Sequence, residues 1–229
     1  MKKLLFTFLF LTLGTAWGGA WEDGAAAFER NDYVTAIKLW RPLADTGNAN
    51  AQLKLGYMYE QGHGVLQDYT EAVKWYRLAA EQGLALAQFN LGWMYSFIHG
   101  VTQDYKEAVK WYRLAAEQGY TLAQRTLGYM YRTGKGVLQD YKEAVKWYKL
   151  AAEQGHEIAQ SSLGNMYYHG QGVTQDYARA HMWFNLASVA GDADATKNRD
   201  DIAKLMTPQQ IEKAQEMAKA CQARNLKGC

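Results

Sequence analysis

The hydrophobic and polar positions of this chain repeat every 36 residues. Each copy opens with an aspartate, and these aspartates are residues 32, 68, 104, 140 and 176. A Leu-Gly pair recurs at the same spacing and begins at residues 55, 91, 127 and 163. A fixed period of this length is typical of repeat proteins, in which each unit buries its apolar faces against its neighbours. The pattern therefore predicts a stack of similar units.

The segment that follows each aspartate predicts an amphipathic helix. Its apolar residues in the first full copy fall at helical spacing, and they are Tyr69, Ala72, Val73, Tyr76, Ala79 and Ala80. Trp75 and Leu78 widen this stripe, so we expect the helix to be buried on more than one side. The aspartate side chain can accept a hydrogen bond from a free backbone N–H at the helix start, and Gly83 tolerates the left-handed conformation at its end.

The segment before each aspartate predicts another helix, followed by a glycine-rich loop. In the first copy its inward positions are Ala51, Leu55, Met58 and Tyr59. Gly56 lies inside this helix and recurs in every later copy, although a glycine there costs about 1 kcal/mol relative to alanine. We therefore expect a bulky side chain to approach it closely, and the repeat tryptophan is the candidate.

One loop departs from the others. Ile98 occupies the position that Gly62, Gly134 and Gly170 occupy in the other copies. Because a β-branched residue strongly disfavours positive φ, we expect this loop to follow another path or to carry strain.

The two ends of the chain differ from the repeats. Lys2 and Lys3 precede an apolar run at 4–13, and small residues follow, which predicts a secretory signal cleaved after Gly18 or Ala20. The run is shorter than the roughly 20 residues that cross a bilayer. The predicted organisation is listed in chain order as a signal peptide at 1–20, a partial N-terminal repeat at 21–47, four complete repeats at 48–191, and two capping helices with a tail at 192–229.

Composition and charge narrow the classes of function. The chain is 48% hydrophobic and 21% charged, as folded soluble proteins are. Loss of Lys2 and Lys3 with the signal leaves 23 basic residues against 23 acidic ones. A nucleic-acid partner would require a basic excess, so none is expected. No later segment is apolar enough to span a membrane.

Candidate chemistry is sparse. No motif for a nucleophile, a zinc helix or a phosphate loop occurs, so we expect no catalytic residue and no cofactor. The histidines are spread over several repeats, and His63 and His99 occupy the same position one repeat apart, so no metal site is expected. Cys221 and Cys229 lie at the C-terminus, where export into an oxidising compartment favours a disulfide that holds the tail.

The string A-x-x-x-L-G-x-M-Y, then G-x-G-V, then D-Y-x-x-A-x-x-W-Y-x-x-A-A-x-x-G, resembles the Sel-one-like repeat family, a relative of the tetratricopeptide repeats. The resemblance covers about residues 32–191. It implies an all-α fold, a right-handed α-solenoid of 36-residue helix-turn-helix repeats, and an adaptor role that holds other macromolecules. Some secreted bacterial relatives carry a cysteine pair in each repeat and are linked to β-lactam binding, and those pairs are absent here.

Function is expected where the copies disagree. Two positions of the first helix vary most, and in chain order they hold Leu53, Tyr57, Phe89, Trp93, Arg125, Tyr129, Ser161 and Asn165. They lie four residues apart and share a helix face with Asn50, Leu86, Leu122 and Ile158, which precede them by three. In this type of solenoid the first helices line the concave wall. Exposed apolar surface usually marks binding, so these eight residues are the predicted protein-binding site.

Phe89, Trp93, Arg125 and Tyr129 are expected to form one continuous patch across the second and third repeats, with two large apolar side chains beside a cation. In the alternative, Phe89 and Trp93 pack inward and Arg125 only covers the surface.

The sequence thus predicts an exported, non-catalytic scaffold, periplasmic or secreted, that binds a protein or peptide on its concave face. Identical repeats place the same groups on every unit, whereas catalysis usually needs one asymmetric cluster. Two alternatives remain: a cell-envelope enzyme, for example one related to β-lactams or peptidoglycan, and a self-assembling structural spacer.

Overall fold

A computed structural model describes residues 19–97 and 100–229. These two ranges contain helices and connecting turns and no strand. The chain divides into two compact units, Met1–Asp104 and Tyr105–Cys229, and the boundary falls inside the second 36-residue repeat. Ile98 lies outside the described residues, and so does the predicted signal segment apart from Gly19 and Ala20.

The first unit contains five helices within its described residues. In chain order they are α1 (19–29), α2 (Tyr33–Asp45), α3 (Ala49–Gln61), α4 (Tyr69–Glu81) and α5 (Ala85–Phe97). Helix α3 packs against both α2 and α4, and α4 also packs against α5. The two helices predicted for the first full repeat are therefore α3 and α4.

The second unit contains seven helices, and none is interrupted by an undescribed residue. In chain order they are α6 (Tyr105–Glu117), α7 (Thr121–Thr133), α8 (Tyr141–Ala152), α9 (Glu157–His169), α10 (Tyr177–Val189), α11 (Ala193–Ala203) and α12 (Pro208–Ala223). Each packs against the next as far as α11, while α12 packs against α10. The predicted all-α repeat of helix pairs is confirmed. In 19–97 and 100–229, no helix combines the length and apolar character that crossing a bilayer requires.

Aspartates begin the second helix of the pairs, as the sequence predicts. The carboxylates of Asp32, Asp68, Asp140 and Asp176 accept hydrogen bonds from backbone N–H groups in the first turns of α2, α4, α8 and α10. Such a cap satisfies a helical N–H that has no partner within the helix, and its removal costs about 1 kcal/mol. Thr207 caps α12 in the same way, since its hydroxyl oxygen accepts from the Gln210 N–H, and its own backbone N–H donates to Oε1 of Gln210.

An aromatic ring of the second helix contacts the glycine of the first. A Cβ atom on Gly56 would lie 2.6 Å from Cδ1 of Tyr76, and a Cβ atom on Gly128 would lie 2.7 Å from Cδ1 of Tyr148. The predicted close approach is confirmed, but the prediction that the tryptophan makes it is wrong. Trp75 lies in a cluster with residues of α2 and α3, and the Arg41 guanidinium is 5.0 Å from its ring. One residue turns a helix by about 100°, so neighbouring aromatic residues face different helices.

A buried glutamine of the first helix hydrogen-bonds to an exposed glutamine at the end of the second helix. In the first full repeat Gln52 Nε2 donates to the Ala44 carbonyl at 3.0 Å, and Gln52 Oε1 accepts from Nε2 of Gln82 at 2.7 Å. Gln124 and Gln154 form the same pair in the third repeat, also at 2.7 Å. We call each of these pairs a glutamine bridge. The bridge and the bond to the preceding helix satisfy both polar atoms of the buried amide, so it carries no cost of an unpaired buried polar atom.

The C-terminal tail is held by a disulfide between Cys221 and Cys229. Cys221 is fully buried in a cluster that includes Met182 and Trp183 of α10. The chain between the cysteines returns along α12, and Asn225 and Leu226 have positive φ angles of 50° and 66°. The disulfide therefore keeps these last residues against α10.

We expect Gly128→Ala to destabilise the protein by about 1–3 kcal/mol, because the new methyl group would overlap the Tyr148 ring. Without that ring, alanine would stabilise the helix by up to about 1 kcal/mol. Urea unfolding of the wild type, Gly128→Ala and the double variant Gly128→Ala/Tyr148→Leu measures the difference. Gly128→Ala should cost less stability when it is added to Tyr148→Leu than when it is added to the wild type. A single variant that is more stable than the wild type would contradict the close contact.

Candidate functional site

The predicted binding residues lie on the first helices of the four repeats. They are Leu53 and Tyr57 on α3, Phe89 and Trp93 on α5, Arg125 and Tyr129 on α7, and Ser161 and Asn165 on α9. With Asn50, Leu86, Leu122 and Ile158 they define what we call the variable face. Tyr57, Tyr129 and Asn165 are exposed, and the other five predicted residues are half-buried. Large apolar side chains also reach solvent here, since Leu122 is 40% exposed and Ile158 49%.

In the first unit the variable face includes an aromatic cluster. The Tyr57 ring is 5.7 Å from His63 and 6.1 Å from Phe28 of α1, measured between ring centroids. His63 stacks on Tyr33 at 4.3 Å. Lys54 Nζ lies 5.1 Å from the Phe28 ring, a cation–π distance. These contacts position Tyr57, while Leu53 is half-buried on the preceding turn.

The α5 part of the variable face carries Phe89 and Trp93. Both are half-buried, and the Trp93 ring is 5.2 Å from Phe97, which is 55% exposed. The predicted patch joins these residues to Arg125 and Tyr129, which belong to the second unit. Its continuity stays a prediction.

In the second unit Arg125 lies against the start of α9. Its Nε atom is buried and has no hydrogen-bond partner among the described residues. Its charge acts on His156, whose pKa is lowered first by burial and further by this neighbouring cation. Within residues 19–97 and 100–229, Arg125 forms no ion pair with an acidic side chain.

Arg132 is a member of this site that the sequence reasoning missed. It lies in the last turn of α7, and its guanidinium is 5.6 Å from the Tyr129 ring. The buried hydroxyl of Tyr148 lies beside it. Burial raises the pKa of Tyr148, and polar contacts from Arg132 and Ser162 partly oppose that shift. Arg132 is thus held between two aromatic side chains at the edge of the variable face.

The residue at the position of Arg132 differs in charge from one repeat to another. Its equivalent in the first full repeat is Glu60, whose Oε2 accepts a 2.5 Å hydrogen bond from the Tyr76 hydroxyl. Burial, followed by the Glu60 charge, raises the pKa of Tyr76. This position lies three residues after Tyr57 and varies as Glu60, Ser96, Arg132 and Tyr168. Comparing the repeats with one another, which identified Tyr57, could therefore also have identified the position of Arg132.

Three adjoining cavities meet at Asn165 of α9. One of about 300 Å³ is lined by Arg132, Ser162 and His169, and one of about 530 Å³ reaches from Ser161 towards α11. A third of about 270 Å³ lies between Tyr168, Phe184 and α11. Asn165 lines all three, and its Nδ2 donates to the Ser161 carbonyl at 3.1 Å. The predicted residues Ser161 and Asn165 therefore form the floor of one groove, which we call the Asn165 groove.

The Asn165 groove has walls of opposite charge. Arg132 lines it on the α7 side. Glu157, Asp192 and Asp194 line it towards α11, where Asp192 also caps the helix by accepting from the Ala195 N–H. Amide and hydroxyl groups of α9 lie between the two walls. A ligand that carries an acidic and a basic group fits such an arrangement better than a ligand of one charge.

The described residues contain no group of three or more His, Cys, Asp or Glu side chains that could hold a metal ion. His181 is buried in α10, and its Nδ1 lacks a hydrogen-bond partner in the parts of the chain that the structure describes. Burial lowers the pKa of His181, the Arg199 charge lowers it further, and Asp200 opposes both. The equivalent residue in the earlier repeats is valine, so this histidine occupies a core position.

Comparisons with known proteins agree on one family. The Sel1 repeat model matches residues 49–84, 85–120, 121–156 and 158–192. A Sel1 repeat protein from Oxalobacter formigenes is 38% identical with a TM-score of 0.76, and the match covers 79% of this chain and 74% of that one. A Sel1 repeat protein from Klebsiella pneumoniae, 20% identical with a TM-score of 0.50, shares the fold over 82% of this chain and 93% of its own. No curated protein sequence gives a significant match.

We expect acid to destabilise the protein partly through His181. Its pKa is lower in the folded than in the unfolded chain, so the unfolded chain binds the proton more readily. This contribution is complete above the unfolded pKa of about 6.5 and is lost as the pH falls below it, by at most about 1.4 kcal/mol per pH unit. Urea unfolding at pH 7.5 and pH 5.5 should show a smaller loss for His181→Val than for the wild type. Equal losses for the two proteins would refute this role.

Proposed function

Because this chain belongs to the Sel1 repeat family, we propose that it is a non-catalytic scaffold that binds a protein or peptide on its variable face. Sel1 repeats are protein-interaction modules, and the proposal assigns that role to particular residues here. The Asn165 groove is the observation that carries it, because the groove lies where the repeats differ from one another. Most framework residues, by contrast, recur from copy to copy and only have to pack on each other.

The chemistry of the Asn165 groove supports a peptide ligand. Ile158, which lines the groove, and Tyr129, which lies beside Arg132, offer exposed apolar surface, while Arg132 and Asp194 offer charges of opposite sign. Aromatic and arginine side chains contribute most of the energy at protein interfaces, because they combine a large contact area with directional polar groups. We propose a segment with an apolar side chain between an acidic and a basic residue.

The same arrangement supports binding over catalysis. The charged groups of the groove lie on α7, α9 and α11, and Asp192 already caps a helix. An acid, a base or a nucleophile would have to converge on one reacting atom. A spread of charges along an open groove suits an extended chain instead.

Export is the second part of the proposal. The lysines at positions 2 and 3, the apolar run at 4–13 and the small residues that follow support secretion through a cleaved signal. We therefore propose a periplasmic or secreted location, where a disulfide such as Cys221–Cys229 persists.

Affinity capture from the source cell envelope tests the binding surface. We expect Tyr129→Ala/Asn165→Ala to weaken partner binding at least about tenfold, because both side chains are exposed on the groove side of the first helices. The matched control is Leu114→Ala/Leu150→Ala, which removes leucines that are 43% and 38% exposed on the second helices α6 and α8. Circular dichroism verifies that both variants fold. A partner that all three proteins capture equally would refute the assigned surface.

The α5 residues allow a separate test. We expect Phe89→Ala and Trp93→Ala each to lower the free energy of unfolding by less than the roughly 3–5 kcal/mol that truncation of a core aromatic side chain costs, because both side chains are half-buried. We also expect both variants to lose partner binding. Thermal unfolding together with the capture assay measures both quantities. A full core penalty in both variants would remove them from the binding surface.

A further inference from the structure

Gln160 of α9 has half of the hydrogen bonds that its equivalents have. It is 2% exposed, and its Nε2 donates to the Ala152 carbonyl at 3.2 Å. Its Oε1 accepts no hydrogen bond from any residue that the structure describes. In the first and third repeats the equivalent oxygen accepts from the second glutamine of a glutamine bridge.

A single change in the sequence explains the difference. The residue 36 positions after Gln154 is Ala190, whose methyl group cannot donate to Gln160. The backbone at this position is otherwise the same, since φ and ψ are −78° and −4° at Ala190 and −80° and 2° at Gln82. A buried acceptor without a donor is unfavourable, so the site favours any group that can supply an N–H.

Gln160 lines a cavity of about 690 Å³. Gln160, Ala190 and Leu186 line it on the α9 and α10 side, and Gln222 and Leu226 line it on the side of α12 and the tail. The Cys221–Cys229 disulfide holds that second wall in place. The cavity shares no lining residue with the three cavities of the Asn165 groove.

The third repeat indicates which chemical group fits the cavity. There the amide nitrogen of Gln154 donates to Gln124 Oε1 at 2.7 Å, to the Gly119 carbonyl at 3.2 Å and to the Leu150 carbonyl at 3.4 Å. The three equivalent acceptors in the fourth repeat all belong to residues that line the cavity, namely Gln160, Gly155 and Leu186. The fourth repeat therefore keeps the acceptors of a carboxamide group and lacks the carboxamide.

We propose that this cavity binds a carboxamide, the side chain of a glutamine or asparagine from a peptide partner. Its nitrogen donates to Gln160 Oε1, and the side-chain amides of Gln222 and Asn225 are available to its oxygen. Leu226 contacts its methylene groups. A neutral group is favoured because the two charged residues that line the cavity, Lys227 and Glu153, are of opposite sign.

Ala190→Gln tests the proposal from inside the chain. The new side chain should form the missing glutamine bridge and raise Tm by about 2–4 °C. The matched control is Val189→Gln, which adds the same side chain at the neighbouring position, 70% exposed, and should leave Tm unchanged. If Ala190→Gln does not raise Tm above the control, the cavity does not accept a carboxamide and the proposal is overturned.

Binding of small probes tests the ligand class directly. We expect N-acetylglutamine N-methylamide to shift the backbone NMR signals of Gly155, Gln160 and Gln222 in a saturable manner. The corresponding glutamate and methionine compounds, which keep the backbone amides but lack the side-chain carboxamide N–H, should not. Ala190→Gln should abolish the shifts, because its own side chain fills the site, and Gln160→Met should abolish them by removing the acceptor.

Three outcomes would overturn the proposal. The methionine compound could shift the same signals equally, which would make the cavity a nonspecific apolar site. The glutamine compound could bind Ala190→Gln as well as the wild type, which would place its site elsewhere. It could also shift no signals at all, in which case only water satisfies Gln160. The Asn165 groove shares no residue with this cavity, so loss of partner capture through Tyr129 and Asn165 tests the proposed function separately.

Discussion

Close contact between a helix glycine and an aromatic ring determines the spacing of the helices in each pair that lies within one unit. Gly56 meets Tyr76, Gly128 meets Tyr148 and Gly164 meets Phe184, each at a distance that leaves no room for a Cβ atom. Interior glycines are unfavourable in helices, so the packing of a large ring must offset their cost. The glutamine bridges, which join the two helices of a pair, depend on the alignment that this contact produces.

The same contact connects the framework to the proposed binding surface. The rings of Tyr76 and Tyr148 pack on glycine, and their hydroxyl groups reach the position where the copies differ, Glu60 in one repeat and Arg132 in another. In the first and third repeats the same ring that packs on glycine therefore places its hydroxyl group beside a variable residue. The charge of the surface can change from repeat to repeat while the core stays the same, because the ring makes the packing contact and the hydroxyl makes the polar one.

Three of the positions where the fourth repeat departs from the framework affect its buried groups. Phe184 replaces the tyrosine, His181 replaces a valine and Ala190 replaces the second glutamine of the bridge. The first change leaves a ring that lines the Asn165 groove, the second leaves a buried nitrogen without a partner, and the third leaves the oxygen of Gln160 without one. Terminal repeats face no further copy, so their residues need not match one. The Gln160 oxygen, whose equivalents in the first and third repeats accept a hydrogen bond within the repeat, is therefore available to a ligand.

The sequence alone determined the period, the helix pairs, the aspartate and Thr207 caps, and the need for a close contact at Gly56. These features depend on spacing and on hydrogen bonds within a turn or two of helix, which the order of residues specifies directly. Only the tertiary structure decided that Tyr76 rather than Trp75 meets the glycine, that Arg132 belongs to the site, and that Gln160 lacks its partner. Each of these depends on how far a helix is rotated about its axis against its neighbours, and at 100° per residue that rotation is set by packing between helices.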